Sequence, residues 1–258
     1  MNLKLSVLNG FALVFTIVMN YLSNTGVLNG NTMGIVSAKY SNYFTPAGYA
    51  FSIWGLIYIG LLGFVIYSGR GLFNKSKNNT ISTKIGWWFV LSCIANSLWV
   101  VAWLYEYMAV SVVIMIFLLF TILRIVVKFD DQTQKHTLAI RLFVLWPFSI
   151  YAGWISVALI ANIAAWLTSI GFEGWGISAI NWTILMILIG GVVNIFMILR
   201  RYLVFFGLVG VWAFLAISVA NRSVIEASNI VMVSNVVAIL LLITSLVIIY
   251  SKKNTIIK

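Results

Sequence analysis

The sequence predicts an all-α fold: a polytopic membrane helix bundle with about eight transmembrane helices. Three observations predict it. Hydrophobic residues make up 62% of the 258, and charged residues only 8%, against roughly 45–50% and about 25% in soluble domains. The apolar residues gather in long runs, and a membrane-spanning helix takes about 20 of them. The basic residues fall almost wholly on one side of a chain that crosses an even number of times. The same fractions exclude a soluble enzyme domain, a disordered chain and a single-anchor protein. An outer-membrane barrel is excluded as well, because its strands would alternate apolar and polar residues in segments of about ten.

The spans are expected at about 5–23, 47–69, 84–105, 108–128, 139–166, 175–199, 203–220 and 229–250. Lys4 precedes the first, but no small-x-small cleavage site follows, so it is read as a span and not a signal peptide. Residues 24–46 are rich in Asn, Gly, Ser and Thr and suit a surface cover or lid. Trp87 and Trp88 open the third span. Trp103, Trp166 and Trp175 fall at helix ends, where aromatic belts form. Gly171, Gly174 and Gly176 lie between two apolar helices, not after a strand, so they indicate a tight turn and not a nucleotide loop.

Charge placement orients the bundle. Lys4, Arg70, Lys75, Lys77, Lys84, Arg124, Lys128, Lys135, Arg141, Arg200, Arg201, Lys252, Lys253 and Lys258 share one side, and only Lys39 and Arg222 take the other. Cytoplasmic loops carry the excess of Lys and Arg, so both termini are expected in the cytoplasm. The expected location is a bacterial inner (plasma) membrane. The net charge of +11 then belongs to loops near lipid headgroups, and no nucleic-acid partner is expected.

Conventional chemistry is missing. Cys93 is the single cysteine, so an intrachain disulfide, a thiol zinc site and an iron–sulfur cluster are excluded. His136 lies in a charged loop beside Lys135, where solvation is its expected state. The helix interiors carry no carboxylate pair for acid–base work and essentially no ionisable group to mark a proton path. No catalytic residue, metal or cofactor is implied. Two stretches around Tyr67 and Tyr250 fit a loose cholesterol pattern, which an aromatic–basic membrane boundary explains equally well.

The polar inventory of the helices is aromatic and amide. Phe51, Trp54 and Tyr58 follow i, i+3, i+7, one helical face. Asn96, Trp99 and Trp103 repeat that spacing, and Trp154, Ala158 and Asn162 follow i, i+4, i+8. At a rise of ~1.5 Å per residue, Trp54, Tyr58, Asn96, Trp99, Trp154 and Asn162 fall in the outer half of the bilayer. Converging stripes would enclose an aromatic pocket for a large, flat, apolar ligand. Helix-to-helix adhesion through Asn side chains accounts for the same spacing, and the two readings stay open.

These stripes resemble the signatures of the tryptophan-rich sensory protein family (TspO, the translocator protein or peripheral benzodiazepine receptor). Residues 43–58, with Pro46, Trp54 and Tyr58, resemble its W-x-P-P…F-x-x-V-W-x-x-L-Y element. Asn96 and Trp99 resemble its L-N-x-x-W element. Pro147 and Phe148, then Trp154, Ala158 and Asn162, resemble its P-Y…W-x-x-x-A-x-x-x-N element. Thr45 and Phe44 stand where the family has Pro and Trp, and the interval from Pro147 to Trp154 is longer than usual. The match covers about residues 1–168, a five-helix bundle. Residues 169–258 add a three-helix membrane segment without a motif. A dimer interface, a partner surface and part of the pocket are its open readings, and Asn181, Trp182 and Asn194 are its notable residues, which helix packing also explains.

The resemblance implies a receptor- or sensor-like protein that binds porphyrins, sterol-like molecules or related drugs, with Pro46, Phe51, Trp54, Tyr58, Asn96, Trp99, Trp154, Ala158 and Asn162 at the site. Trp54 and Asn96 would line or hydrogen-bond the ligand, Trp99 and Trp154 would wall it, and Ala158 would keep the wall shallow. Transport of small hydrophobic molecules is an alternative, although no ATP motif or inverted repeat accompanies it. Light-dependent porphyrin breakdown involving Trp154 is another.

Overall fold

The computed structural model describes residues 2–72, 80–129 and 136–256. Lys75, Lys77, Lys135 and Lys258 lie outside the described residues, as do the side chains of Lys252 and Lys253. Among the described residues the fold is all-helical. Helix α1 (Asn2–Leu22) is followed by the short α2 (Met33–Lys39), then α3 (Ile53–Gly69), the short α4 (Thr80–Ile85), α5 (Trp88–Leu104) and α6 (Met108–Phe129). A single helical turn, α7 (Leu138–Ile140), leads through a π-helical turn at Arg141–Leu145 into α8 (Trp146–Ser169). Helices α9 (Ala179–Arg201), α10 (Val204–Asn221) and α11 (Ser228–Ile256) complete the chain.

Seven of these segments are long and apolar enough to cross a membrane, and α5 is an apolar helix of 17 residues, at the short end of the roughly 17–25 that a span uses. Large apolar side chains point outward along the spans, among them Phe11, Ile59, Val113, Val192 and Leu246. So much exposed apolar surface is a liability in water and the normal state in lipid. The chain is an integral, multi-pass membrane protein.

Local chemistry explains where the spans differ from expectation. The third begins at Trp88 and not at residue 84, because Gly86 takes φ of +66° and breaks the helix. Lys128 then donates to the carbonyls of Lys84 at 2.7 Å and Ile85 at 3.3 Å, closing the otherwise open end of α4. The second opens with a 3-10 turn over Gly48–Ser52, so Phe51 does not share an α-helical face with Trp54 and Tyr58. The fifth is interrupted before Pro147, whose ring and missing N–H forbid an ordinary helical bond there. The π turn at Arg141–Leu145 takes up that mismatch. Before α9, Trp175 adopts φ of 51° in a 3-10 turn, and the Ser178 hydroxyl caps the helix by accepting from the Asn181 N–H.

The chain forms two compact units: residues 1–36 with 54–152, and residues 37–53 with 153–258. The boundary falls inside α8, so these units do not coincide with the expected division at residue 168, which concerns where the motifs end.

In the first unit α5 packs on both α1 and α6. Phe64, Phe89 and Phe148 meet edge to face with centroids 4.9–5.8 Å apart. Gly60 lets Pro147 approach, since a Cβ there would lie 3.0 Å from the proline ring. Residues 24–36 are tied to this unit by hydrogen bonds. The side chains of Asn29 and Asn31 each donate to the Leu104 carbonyl at 3.0 Å, and the Met33 N–H bonds Ser23.

In the second unit α10 packs on α9, α11 and the 3-10 turn at Gly48–Ser52. Its core joins Phe44, Val157, Ile187, Phe214, Ile230 and Leu241. The segment 43–50 is built into this core. The Ala47 N–H bonds the Ala216 carbonyl, Asn221 donates to the Tyr43 carbonyl, and the Trp212 indole donates to the Ala50 carbonyl.

Candidate functional site

The first unit gathers Trp54, Tyr58 and Asn96 around Tyr151. Trp54 and Tyr58 lie one turn apart on α3, and their rings stack at 5.6 Å with planes 19° apart. The Tyr151 ring meets Trp54 edge to face at 5.9 Å. The Asn96 amide N–H donates to the Tyr151 hydroxyl at 2.9 Å, and its carbonyl oxygen accepts from the Asn20 amide at 2.7 Å. Asn96 is fully buried and engaged at both ends of its amide. In this arrangement it orients Tyr151 through a relay that begins at Asn20.

Because Tyr151 accepts from Asn96, its own O–H remains to donate elsewhere. The Tyr58 hydroxyl is buried and has no hydrogen-bond partner among the described residues. A phenol without a partner in a dry site is costly, so an acceptor brought by a ligand would be welcome. Two phenol donors and a stacked indole can therefore hold a flat molecule with acceptors on its edge.

Trp99 stacks on Trp103 at 5.9 Å, with planes 28° apart. Trp103 is 7% exposed and its indole N–H has no partner among the described residues, so it is an interior residue and not part of a belt. Trp87 and Trp175 are by contrast 58% and 84% exposed. His136 also departs from the solvated state expected of it: its Nε2 is buried, and the ring lies 6.3 Å from that of Phe129. Around Tyr67, the Arg70 guanidinium sits 3.8 Å over the ring and Phe143 stacks at 5.1 Å.

The second unit holds the other expected residues. Phe51 meets Trp154 edge to face at 6.0 Å. Trp154 and Asn162 are buried, while Ala158 and Pro46 are half-buried. Trp154 sits beside Gly153, where the Phe206 backbone comes so close that a Cβ would lie 2.9 Å from its carbonyl oxygen.

The expected list missed Tyr151 and Asn20. Tyr151 lies three residues before Trp154, inside the segment that carries the motif. A tyrosine one helical turn from a motif residue was the available signal. Asn20 gave none beyond being a buried-side amide in an apolar helix.

Among known families, the model described as TSPO-like protein matches residues 6–249. The match runs through the three C-terminal helices as well as the five that carry the motifs. No curated protein and no solved structure matches the chain.

Proposed function

The chain belongs to the TSPO-like protein family, and from that premise we propose that it binds a flat, largely apolar ligand of the porphyrin type, as a receptor or sensor. The observation that carries this reading is the arrangement at Trp54. Its indole face stacks with Tyr58, Tyr151 closes its edge, and the buried Tyr58 hydroxyl has no partner among the described residues. Aromatic faces supply most of the contact area for a planar ligand, and a few fixed donors supply its orientation. Asn96 acts as a positioning residue for Tyr151, and Trp99 packs behind it on the same helix. Within the second unit by itself, Trp154 with Phe51, and Ala158 and Asn162 one and two turns on, stay proposed as ligand-recognition residues.

The basic residues orient the chain in this proposal. Both termini, with Arg70, Arg124, Arg200 and Arg201, face the cytoplasm of a bacterial inner membrane, where anionic headgroups attract them.

A Soret-band titration with protoporphyrin tests the reading. Wild-type protein should bind saturably. Trp54→Ala should weaken binding by at least about tenfold, and Tyr58→Phe by about threefold to tenfold for one lost hydrogen bond. Equal affinity in all three proteins would remove the site.

A further inference from the structure

The second unit contains a cavity that, of the motif-bearing segments, only the start of residues 43–58 lines, through Tyr43 and Phe44. Its volume is about 670 Å³, and residues of segments 41–44, 164–186 and 220–224 line it. Small-molecule sites span roughly 300–1,000 Å³. The rings of Tyr43, Phe172 and Trp182 form much of its wall. Phe172 and Trp182 meet edge to face at 6.1 Å, and Gly174 keeps φ of +77° beneath the indole, where a Cβ would lie 3.0 Å from the ring.

The polar groups of this wall are biased in one direction. The Trp182 indole N–H donates to the Gly174 carbonyl at 2.8 Å. The Thr168 and Thr183 hydroxyls donate to carbonyls one turn back in their own helices. The Asn221 amide donates to the Tyr43 carbonyl at 2.9 Å and the Ile217 carbonyl at 2.8 Å. Asn221 is only 4% exposed, and its Oδ1 accepts nothing from the described residues. The donors around the cavity are thus largely taken by the protein, while acceptors remain. Glu173 adds a carboxylate at the exposed rim and is the one charged side chain among the described lining residues.

We propose that this cavity binds an amphipathic amine. The ammonium lies between the Glu173 carboxylate and the Asn221 oxygen, and the apolar body lies against Trp182, Phe172 and Tyr43. Aromatic faces attract cations as well as apolar surface, so wall and rim select the same molecule. A ligand with carboxylates at its edge meets acceptors and a negative charge here and is rejected. The cavity therefore differs in kind from the group around Trp54. The ammonium can come from a free hydrophobic amine or from a lipid headgroup.

Equilibrium dialysis of the full chain in dodecyl maltoside, with protein-free micelles as the blank, separates the possibilities. The probes are 1-naphthylmethylamine and its neutral isostere 1-naphthylmethanol. The amine should bind saturably and at least about tenfold more tightly than the alcohol. Glu173→Gln should bring the amine down to the alcohol's affinity and leave the alcohol unchanged, and its exposed position keeps folding out of the result. Glu173→Lys should abolish amine binding and favour 1-naphthoate. Competition by added phosphatidylethanolamine would identify the lipid headgroup as the occupant, and its failure to compete would identify a free amine. Equal affinity for amine and alcohol, or no effect of Glu173→Gln, would overturn the proposal.

Discussion

The two units solve the same problem, holding helices together in lipid, by different means. In the first, side chains bond across helices. Ser6 of α1 meets Ser82 of α4 at 3.0 Å, and Thr16 of α1 donates to the Cys93 carbonyl of α5 at 3.1 Å. Asn20, Asn96 and Tyr151 then join α1, α5 and α8. In the second, glycines admit close neighbours, the Phe206 backbone at Gly153 and side chains at the others. Gly153, Gly190, Gly191 and Gly210 each sit where a Cβ would press into a neighbour, while Ser218, Ser234 and Ser245 are buried without hydrogen-bond partners among the described residues. In lipid the hydrophobic effect does not drive helices together, so packing and polar bonds must. One unit leans on the polar bonds and the other on close packing. The unit with the polar lattice holds aromatic groups in fixed orientation, and the unit with the glycine contacts contains a cavity of about 670 Å³.

That contrast can be broken by substitution, with stability read from unfolding of the purified protein in mixed micelles. The largest effect is expected at Gly153→Leu. Its Cβ meets the Phe206 backbone at 2.9 Å, which cannot swing aside, so a loss toward 3 kcal/mol, the upper part of the ~1–3 kcal/mol range for overpacking, is expected. A loss below about 0.5 kcal/mol would show that the second unit does not depend on close backbone approach. Next is Asn9→Leu in the first unit. Asn9 is fully buried, and neither amide atom has a partner among the described residues, the exception to the lattice around it. Removing it should stabilise the protein by about 1–3 kcal/mol, and a destabilised variant would mean that the amide does bond.

Asn96→Leu should cost about 1–2 kcal/mol, since it removes the donor to the Tyr151 hydroxyl and one of the two acceptors of the Asn20 amide, which keeps the Thr16 carbonyl. A neutral result would deny the lattice its structural part. The smallest effect is expected at Ser234→Ala in the second unit, about 0 ± 0.5 kcal/mol, because no described hydrogen bond is lost. A cost above about 1 kcal/mol would show that buried hydroxyls support that unit as well.

The spans were legible because a helix in lipid must be continuously apolar and must end at charge, glycine or proline. Lys4, Gly86, Arg70, Lys128 and Arg200 mark such ends, and the chain obeys them to within a few residues. Three features were not legible. The π turn at Arg141–Leu145 depends on how Pro147 is accommodated, and proline alone does not say which adjustment follows. The loop 24–46 reads as polar cover, yet Val36 and Phe44 are buried, because backbone partners on distant helices draw each half inward. The cavity near Trp182 combines three stretches far apart in sequence, and no periodicity within one helix reports such a meeting. Spacing marked Trp54, Tyr58 and Asn96, which lie together around Tyr151 in the first unit. Tyr151 was missed because its importance comes from a hydrogen bond to another helix. Phe51 lies in the 3-10 turn Gly48–Ser52 and not in the α-helix, so the i, i+3, i+7 spacing does not carry its face across the junction.

The most direct test of the account is a structure determined with protoporphyrin bound. The macrocycle should lie against Trp54, with the Tyr58 or Tyr151 hydroxyl donating to it and the Asn20–Asn96–Tyr151 relay intact. Porphyrin seated instead in the cavity beside Trp182 and Glu173, or no ordered porphyrin at saturating concentration, would contradict it.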